Sequence, residues 1–440
     1  MKKQTIREQQ LVTSFKRCSR QNTIDPSDIV DLKEQLRLAK YLSHSYYDAQ
    51  IMELLFCSFD TTVTVAGADD DYEASPQVRE FFAGLHQIGA DSVEGFALFA
   101  GFKDVQDLFV IKVPKDPEVD GLFHEYFIGV AGLNPLRKYV PNFSYIFAAF
   151  RCLPPDINQD KTVTKWCSAP GSSGASAVNY VVFEKIPGKG FSDSMSKLLP
   201  AKDGFTTYLS YLIQLAFALR LAQQQCDFTH YDLHGDNVIL RDLPEDGPGE
   251  IYIPYLMKKG TIVFVKTKAI ATIIDYGRSH IAVKKEHFGY HNFEENGVYA
   301  TRSRVLYDLF KIIGFTLYEA RKNSQFLFKS IDLLMMWPNV SNTQKLTDAK
   351  SVLKFIRESR DSYFELPPQV TDFEEEADPL LNFLDTLAER YPKEWQQIVF
   401  SENGLPEDAK ILNCQNMTCD TLDEARAQLI SPTPVINDYY

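Results

Sequence analysis

The stretch that most constrains this chain is Phe228-Thr229-His230-Tyr231-Asp232-Leu233-His234-Gly235-Asp236-Asn237-Val238-Ile239-Leu240. It follows a long helical pattern, Asp203 to Gln225, in which Tyr208, Leu212, Leu215, Leu219 and Ala222 fall on one face. It runs into a short apolar strand pattern, Val238-Ile239-Leu240. A second strand pattern, Ile270 to Ile274, ends in Asp275-Tyr276-Gly277, 38 residues after Asn237. His, Asp and Asn are common in turns, so the motif by itself says little. The order of helix, motif, strand and second strand ending in Asp-x-Gly is what narrows the possibilities.

Those residue types at that spacing suit phosphoryl transfer. An attacking hydroxyl must be oriented and its proton accepted, a task for one carboxylate, Asp232, with His230 beside it in the motif. Phosphate oxygens call for hard cations, and hard cations call for oxygen ligands, which Asn237 and Asp275 can supply. Gly277 is expected to let the backbone turn just past Asp275. His-x-Asp-x4-Asn followed by apolar-Asp-x-Gly resembles the base and magnesium apparatus of the protein-kinase superfamily. The phrasing of His124 to Gly129, Pro141-Asn142-Phe143, His230 to Asn237 and Ile273 to Ser279 is similar to divergent serine/threonine-type kinases of large DNA viruses.

The resemblance implies ATP and Mg2+ as cofactors and assigns further residues. Lys112, in the strand pattern Leu108 to Val113, would hold the phosphates. A helix glutamate would orient it, and Glu125 suits this better than Glu118, which sits beside Pro117 at a helix start. Phe183-Glu184-Lys185 would form the hinge where backbone groups meet adenine, and Asp308 would brace the catalytic loop from a helix below. The phosphate-covering loop is reduced to Gly89, Ser92 and Gly95 in Gly89-Ala90-Asp91-Ser92-Val93-Glu94-Gly95. No Walker-type motif replaces it. Three departures stand out. Tyr231 replaces the arginine that pairs with a phosphorylated activation segment. His234 replaces a phosphate-steadying lysine, a role an unperturbed, protonated histidine could fill. No Ala-Pro-Glu lies between Asp275 and Asp308.

The pattern along the chain is strand-rich from Gln87 and helix-rich after Arg304, which predicts an α+β fold. We expect a bilobal kinase-like domain over residues 84–338, with lobes of about 84–186 and 187–338, a helical N-terminal extension (1–83) and a helical C-terminal extension (339–440). Leu32 to Leu42 carries helical spacing, and Asp69-Asp70-Asp71 reads as a solvated turn. A formal net charge of −13 leaves no basic field for nucleic acid. Seven scattered cysteines predict reduced thiols and a cytoplasmic setting. The N-terminus lacks the apolar run of a signal peptide, and no run reaches the ~20 apolar residues of a membrane span. The expected partner is a protein substrate. A small-molecule kinase of the aminoglycoside or choline type and an inactive scaffold on the same fold remain alternatives.

Overall fold

The computed structural model describes residues 7–8, 10–11, 82–88, 95–102, 105–115, 121–167, 177–243, 248–257, 261–291, 294, 298–320, 323–336, 350–351, 354, 378–414 and 419–423. The expected helix over 32–42 and the acidic turn at 69–71 lie outside these residues. So do Glu118, Gly89 and Ser92.

Alternating apolar residues build the first layer. Strands β1 (Phe82–Gln87), β2 (Gly95–Phe102) and β3 (Val105–Pro114) form an antiparallel meander. In β3, Phe109, Ile111 and Val113 are buried while Val110 and Lys112 are only half-buried, the period of two that separates the faces of a strand. Helix α1 (Leu122–Ile128) packs against this sheet, and β4 (Ile146–Cys152) completes it. A small hairpin, β5 (Asp156–Ile157) with β6 (Val163–Lys165), precedes β7 (Val178–Glu184). The sheet order is β1-β2-β3-β7-β4. Cys152 and Cys167 are joined as a disulfide, where free thiols were expected: the turn after β6 returns the chain to the end of β4.

The second layer is mostly helical. After β8 (Gly188–Gly190) come α2 (Phe191–Leu198) and the long α3 (Gly204–Cys226), whose left-handed cap is Asp227 at φ 49°. By length and composition α3 could cross a bilayer, yet 83% of its most apolar window is buried inside the protein. It reads as the central core helix. Strand β9 (Val238–Asp242) pairs with β8 and, after β10 (Ile251–Leu256) and β11 (Ile262–Thr267), with β12 (Ala269–Ile273). The hairpin β13 (Ile281–Val283) and β14 (Glu286–Phe288) precedes α4 (Tyr307–Ala320) and α5 (Ser324–Leu334). The result is a mixed α+β protein with a strand-rich part and a helix-rich part, an arrangement compatible with two lobes.

The C-terminal portion departs from the helical expectation. Helices α6 (Pro379–Arg390) and α7 (Pro392–Ile398) are followed by β15 (Val399–Ser401), β16 (Ile411–Leu412) and β17 (Cys419–Asp420). These strands join β10 and β11 in one sheet ordered β15-β11-β10-β16-β17. Leu380, Phe383, Leu384 and Leu387 of α6 belong to the main apolar core, which also contains α3.

Candidate active site

Strand β3 and helix α1 each contribute one charge to a half-buried meeting point. Lys112 Nζ donates to Glu125 Oε1 and Oε2 at 2.9 and 3.1 Å and to Asp275 Oδ1 at 2.9 Å. Glu125 also accepts the Tyr276 backbone N–H at 3.0 Å, so the helix is fastened to the loop carrying Asp275. Burial works against the Lys112 charge, but Asp275 and Glu125 outweigh it and raise its pKa. Burial also pushes Asp275 up, yet the Lys112 ammonium holds it below the usual carboxylate range. Asp275 itself adopts the left-handed conformation, φ 67°, just before the turn expected at Gly277. Gly277 keeps an ordinary backbone, with room for a Cβ 3.7 Å from Asp275 Oδ1.

The loop between α3 and β9 is held from below by α4. Asp308 accepts the His230 N–H at 2.7 Å and the Tyr231 N–H at 2.9 Å. Tyr231 is fully buried at φ 63°, rare for a bulky residue, and its hydroxyl donates to the Arg302 carbonyl at 2.6 Å. His230 Nδ1 accepts the Asp232 N–H at 3.2 Å, and its Nε2–H donates to the Ile274 carbonyl at 2.9 Å. One acceptor and one donor position make this ring neutral, and burial lowers its pKa to about 4. His230, expected at the reacting end, is 0% exposed and works as a brace. Asn237 Nδ2 donates to the Asp232 carbonyl at 2.9 Å, and the Asn237 carbonyl accepts the Ile274 N–H at 3.0 Å, which sets the Asn237 and Asp275 loops side by side.

Asp232 does not stand alone. Lys311 Nζ of α4 lies 2.7 Å from Oδ1, and an Arg278 guanidinium nitrogen lies 3.2 Å from Oδ2. Burial pushes the Asp232 carboxyl up, but these two cations hold it below its ordinary value. A cavity of about 620 Å³ opens beside it, with Phe191, Met195 and Phe315 on its apolar wall and His234, Arg278 and Lys311 on its polar side. His234 Nδ1 accepts the Asp236 N–H at 3.3 Å, and burial lowers its pKa. The sequence led us to expect an unperturbed ring there. Gly235 approaches α2 closely: a Cβ there would fall 2.3 Å from Ser192 Oγ.

The remaining expected residues lie further off. The Glu184 carboxylate is buried between Arg241 at 2.5 Å and Arg137 at 3.5 Å, and its N–H donates to the Tyr145 carbonyl at 2.8 Å. That amide is therefore paired with the backbone just before β4. Gly95 opens β2, where a Cβ would fall 2.2 Å from the Val113 carbonyl. Its part in a phosphate-covering loop rests on neighbours outside the described residues.

The chain is 23% identical over 307 residues to "Probable kinase 098L" of Invertebrate iridescent virus 3, covering 67% of this chain and 51% of that protein. It is 32% identical over 172 residues to "Uncharacterized protein 035R" of the same virus, covering 38% of this chain and 15% of the relative. It is 30% identical over 164 residues to "Uncharacterized protein 179R" of Invertebrate iridescent virus 6, covering 36% of this chain and 12% of the relative. No family model matches the chain. The chain thus spans about half the length of the relative named as a kinase and a smaller part of the other two. The chain is distantly related to iridovirus proteins, one of which is named a probable kinase.

Two participants at the site could not be read from the motifs. Lys311 lies 79 residues beyond Asp232, and Arg278 follows the Asp-x-Gly turn without a spacing rule of its own. The signal for Lys311 is a helical one: it stands one turn after Asp308, on the face turned toward the loop.

Proposed function

We propose that the chain is an ATP-dependent phosphotransferase that moves the terminal phosphate to a serine or threonine hydroxyl of a protein. The observation carrying this reading is the convergence of Lys112, Glu125 and Asp275, with Asp232 on the neighbouring loop braced by Asp308. The Lys112 ammonium would meet the phosphates of ATP, and Glu125 would keep it aimed. Asp232, ionised, would orient the attacking hydroxyl and accept its proton.

The oxygen donors fit magnesium. Asn237 commits its amide nitrogen to the Asp232 carbonyl, which leaves its side-chain oxygen as the ligand, and Asp275 commits one carboxylate oxygen to Lys112. Hard oxygen donors of this kind suit Mg2+, which also takes ligands from phosphates and water. When bound, the ion supplies positive charge against the phosphate oxygens. The test is transfer from radiolabelled ATP by wild type and Asp232→Asn. The variant is expected to lose about 100-fold or more in turnover, the scale of a positioned base, while its ATP-induced thermal shift persists. Full turnover in Asp232→Asn would remove Asp232 from this role.

One observation favours a second reading, transfer to a small hydroxyl compound. The cavity of about 620 Å³ beside Asp232 has the size and partly apolar wall of a small-molecule pocket. Offering mixed proteins together with choline, sugars and aminoglycosides separates the readings. Label is expected in the protein fraction, and label confined to small products would establish the second.

A further inference from the structure

A base that orients a hydroxyl has to be held still in one ionisation state. In this loop the position two residues after Asp232 offers only the His234 imidazole, whose Nδ1 already accepts the Asp236 N–H. The cation that touches Asp232 comes instead from α4. Lys311 Nζ donates to Asp232 Oδ1 at 2.7 Å and to the Tyr231 carbonyl at 2.8 Å, and its side chain is 2% exposed. Three residues earlier on the same helix, Asp308 receives the N–H groups of His230 and Tyr231. One face of α4 therefore grips both the backbone of the loop and its reacting side chain.

We propose that Lys311 is the positioning residue of this site, fixing the Asp232 carboxylate through Oδ1 so that Oδ2 is presented to the substrate hydroxyl. The inference rests on the reading of Asp232 as the base. Lys311 is committed to Oδ1 from beneath, whereas the partner at Oδ2, Arg278, has a side chain 26% exposed and lines the cavity. The hydroxyl proton consequently goes to Oδ2 as the hydroxyl oxygen bonds the terminal phosphorus and the bond from that phosphorus to the departing ADP oxygen breaks.

The experiment compares Lys311→Met, Lys311→Arg, Asp232→Asn and the double variant Lys311→Met/Asp232→Asn in the full chain. Two quantities are read, turnover and the denaturant midpoint. Lys311→Met is expected to lower kcat by about 100-fold with KM for ATP within about two-fold, and Lys311→Arg to recover at least half of that loss on a logarithmic scale. In the Asp232→Asn background, Lys311→Met should cost no further turnover, because both act through one group. The double variant should also unfold at higher denaturant than Lys311→Met alone, since it no longer leaves Oδ1 of a half-buried carboxylate without the Lys311 ammonium. This second measurement holds even if turnover is absent in every variant. Absence of turnover in wild type would overturn the proposed function. An active wild type with independent, multiplying losses for Lys311 and Asp232, or midpoints that add without coupling, would overturn the role of Lys311.

Discussion

At the scale of single residues, hydrogen-bond partners set the charge of each histidine near the site. His230 has one donor and one acceptor facing it and is neutral. His124 has two oxygen acceptors, Glu8 Oε1 at 2.8 Å and the Ser279 carbonyl at 2.9 Å, and only the imidazolium can donate to both. Tyr231 shows the same economy with an uncharged group. Where an arginine would await a phosphate, its hydroxyl already fixes the Arg302 carbonyl, and Tyr299 and Tyr307 pack against its ring. A neutral hydroxyl cannot make the charge-assisted pairs that order a phosphorylated segment. Phosphatase-treated and untreated protein should therefore turn over at the same rate. A loss of about ten-fold on dephosphorylation, about 1.4 kcal/mol in barrier height, would contradict this.

At the scale of elements, α1 is held on three sides: Glu125 on Lys112, Glu125 on Tyr276, and His124 on Glu8 and Ser279. Burial works against a charged His124, but Glu8 and the Ser279 carbonyl overcome it and raise its pKa. A folded pKa above the unfolded one adds stability that is complete below the unfolded value and fades as pH rises through the folded value. The difference in urea midpoint between wild type and His124→Gln should be widest near about pH 6 and smaller near about pH 9. A difference that grows with pH would refute the pairing. Much of this framework was legible in the sequence. The long helix was expected over 203–225 and runs Gly204–Cys226, and β9 and β12 fall where apolar runs placed them. The meeting of Lys112 with Glu125, 13 residues apart, is what the kinase resemblance implied. Strand β10 was missed because Pro254 interrupts it, and a proline argues against a strand until a partner such as β11 is known. Strands β15, β16 and β17, of two or three residues each, are too short to show a period. Lys311 escaped notice because only the tertiary fold carries α4 beneath the loop.

At the scale of the whole molecule, helices α6 and α7 are part of the core rather than an appendage. Arg220 of α3 donates to Asp378 Oδ2 at 2.7 Å, Lys329 of α5 pairs with Glu394 of α7 at 3.1 Å, and Leu380, Leu384 and Leu387 are buried. Fully burying a leucine contributes about 1.5–3 kcal/mol, so losing several exceeds a large part of an ordinary domain's net stability. A chain ended after residue 377 should lose its cooperative thermal transition or precipitate. A sharp transition at the wild-type temperature would show that α6 and α7 are dispensable.

The fastening of residues 7 and 8 has a consequence for the order of synthesis. Glu8 meets His124, 116 residues later, and Arg7 meets Glu286, 279 residues later. At about 5–20 residues per second, the ribosome takes about 15–55 s to deliver the second of these partners. The Glu8 carboxylate, 1% exposed in the finished fold, stays in water until His124 follows about 6–23 s behind it. Residues 7 and 8 thus wait for partners far along the chain, and His124 of α1 has both of its acceptors only when the loop bearing Ser279 has left the ribosome.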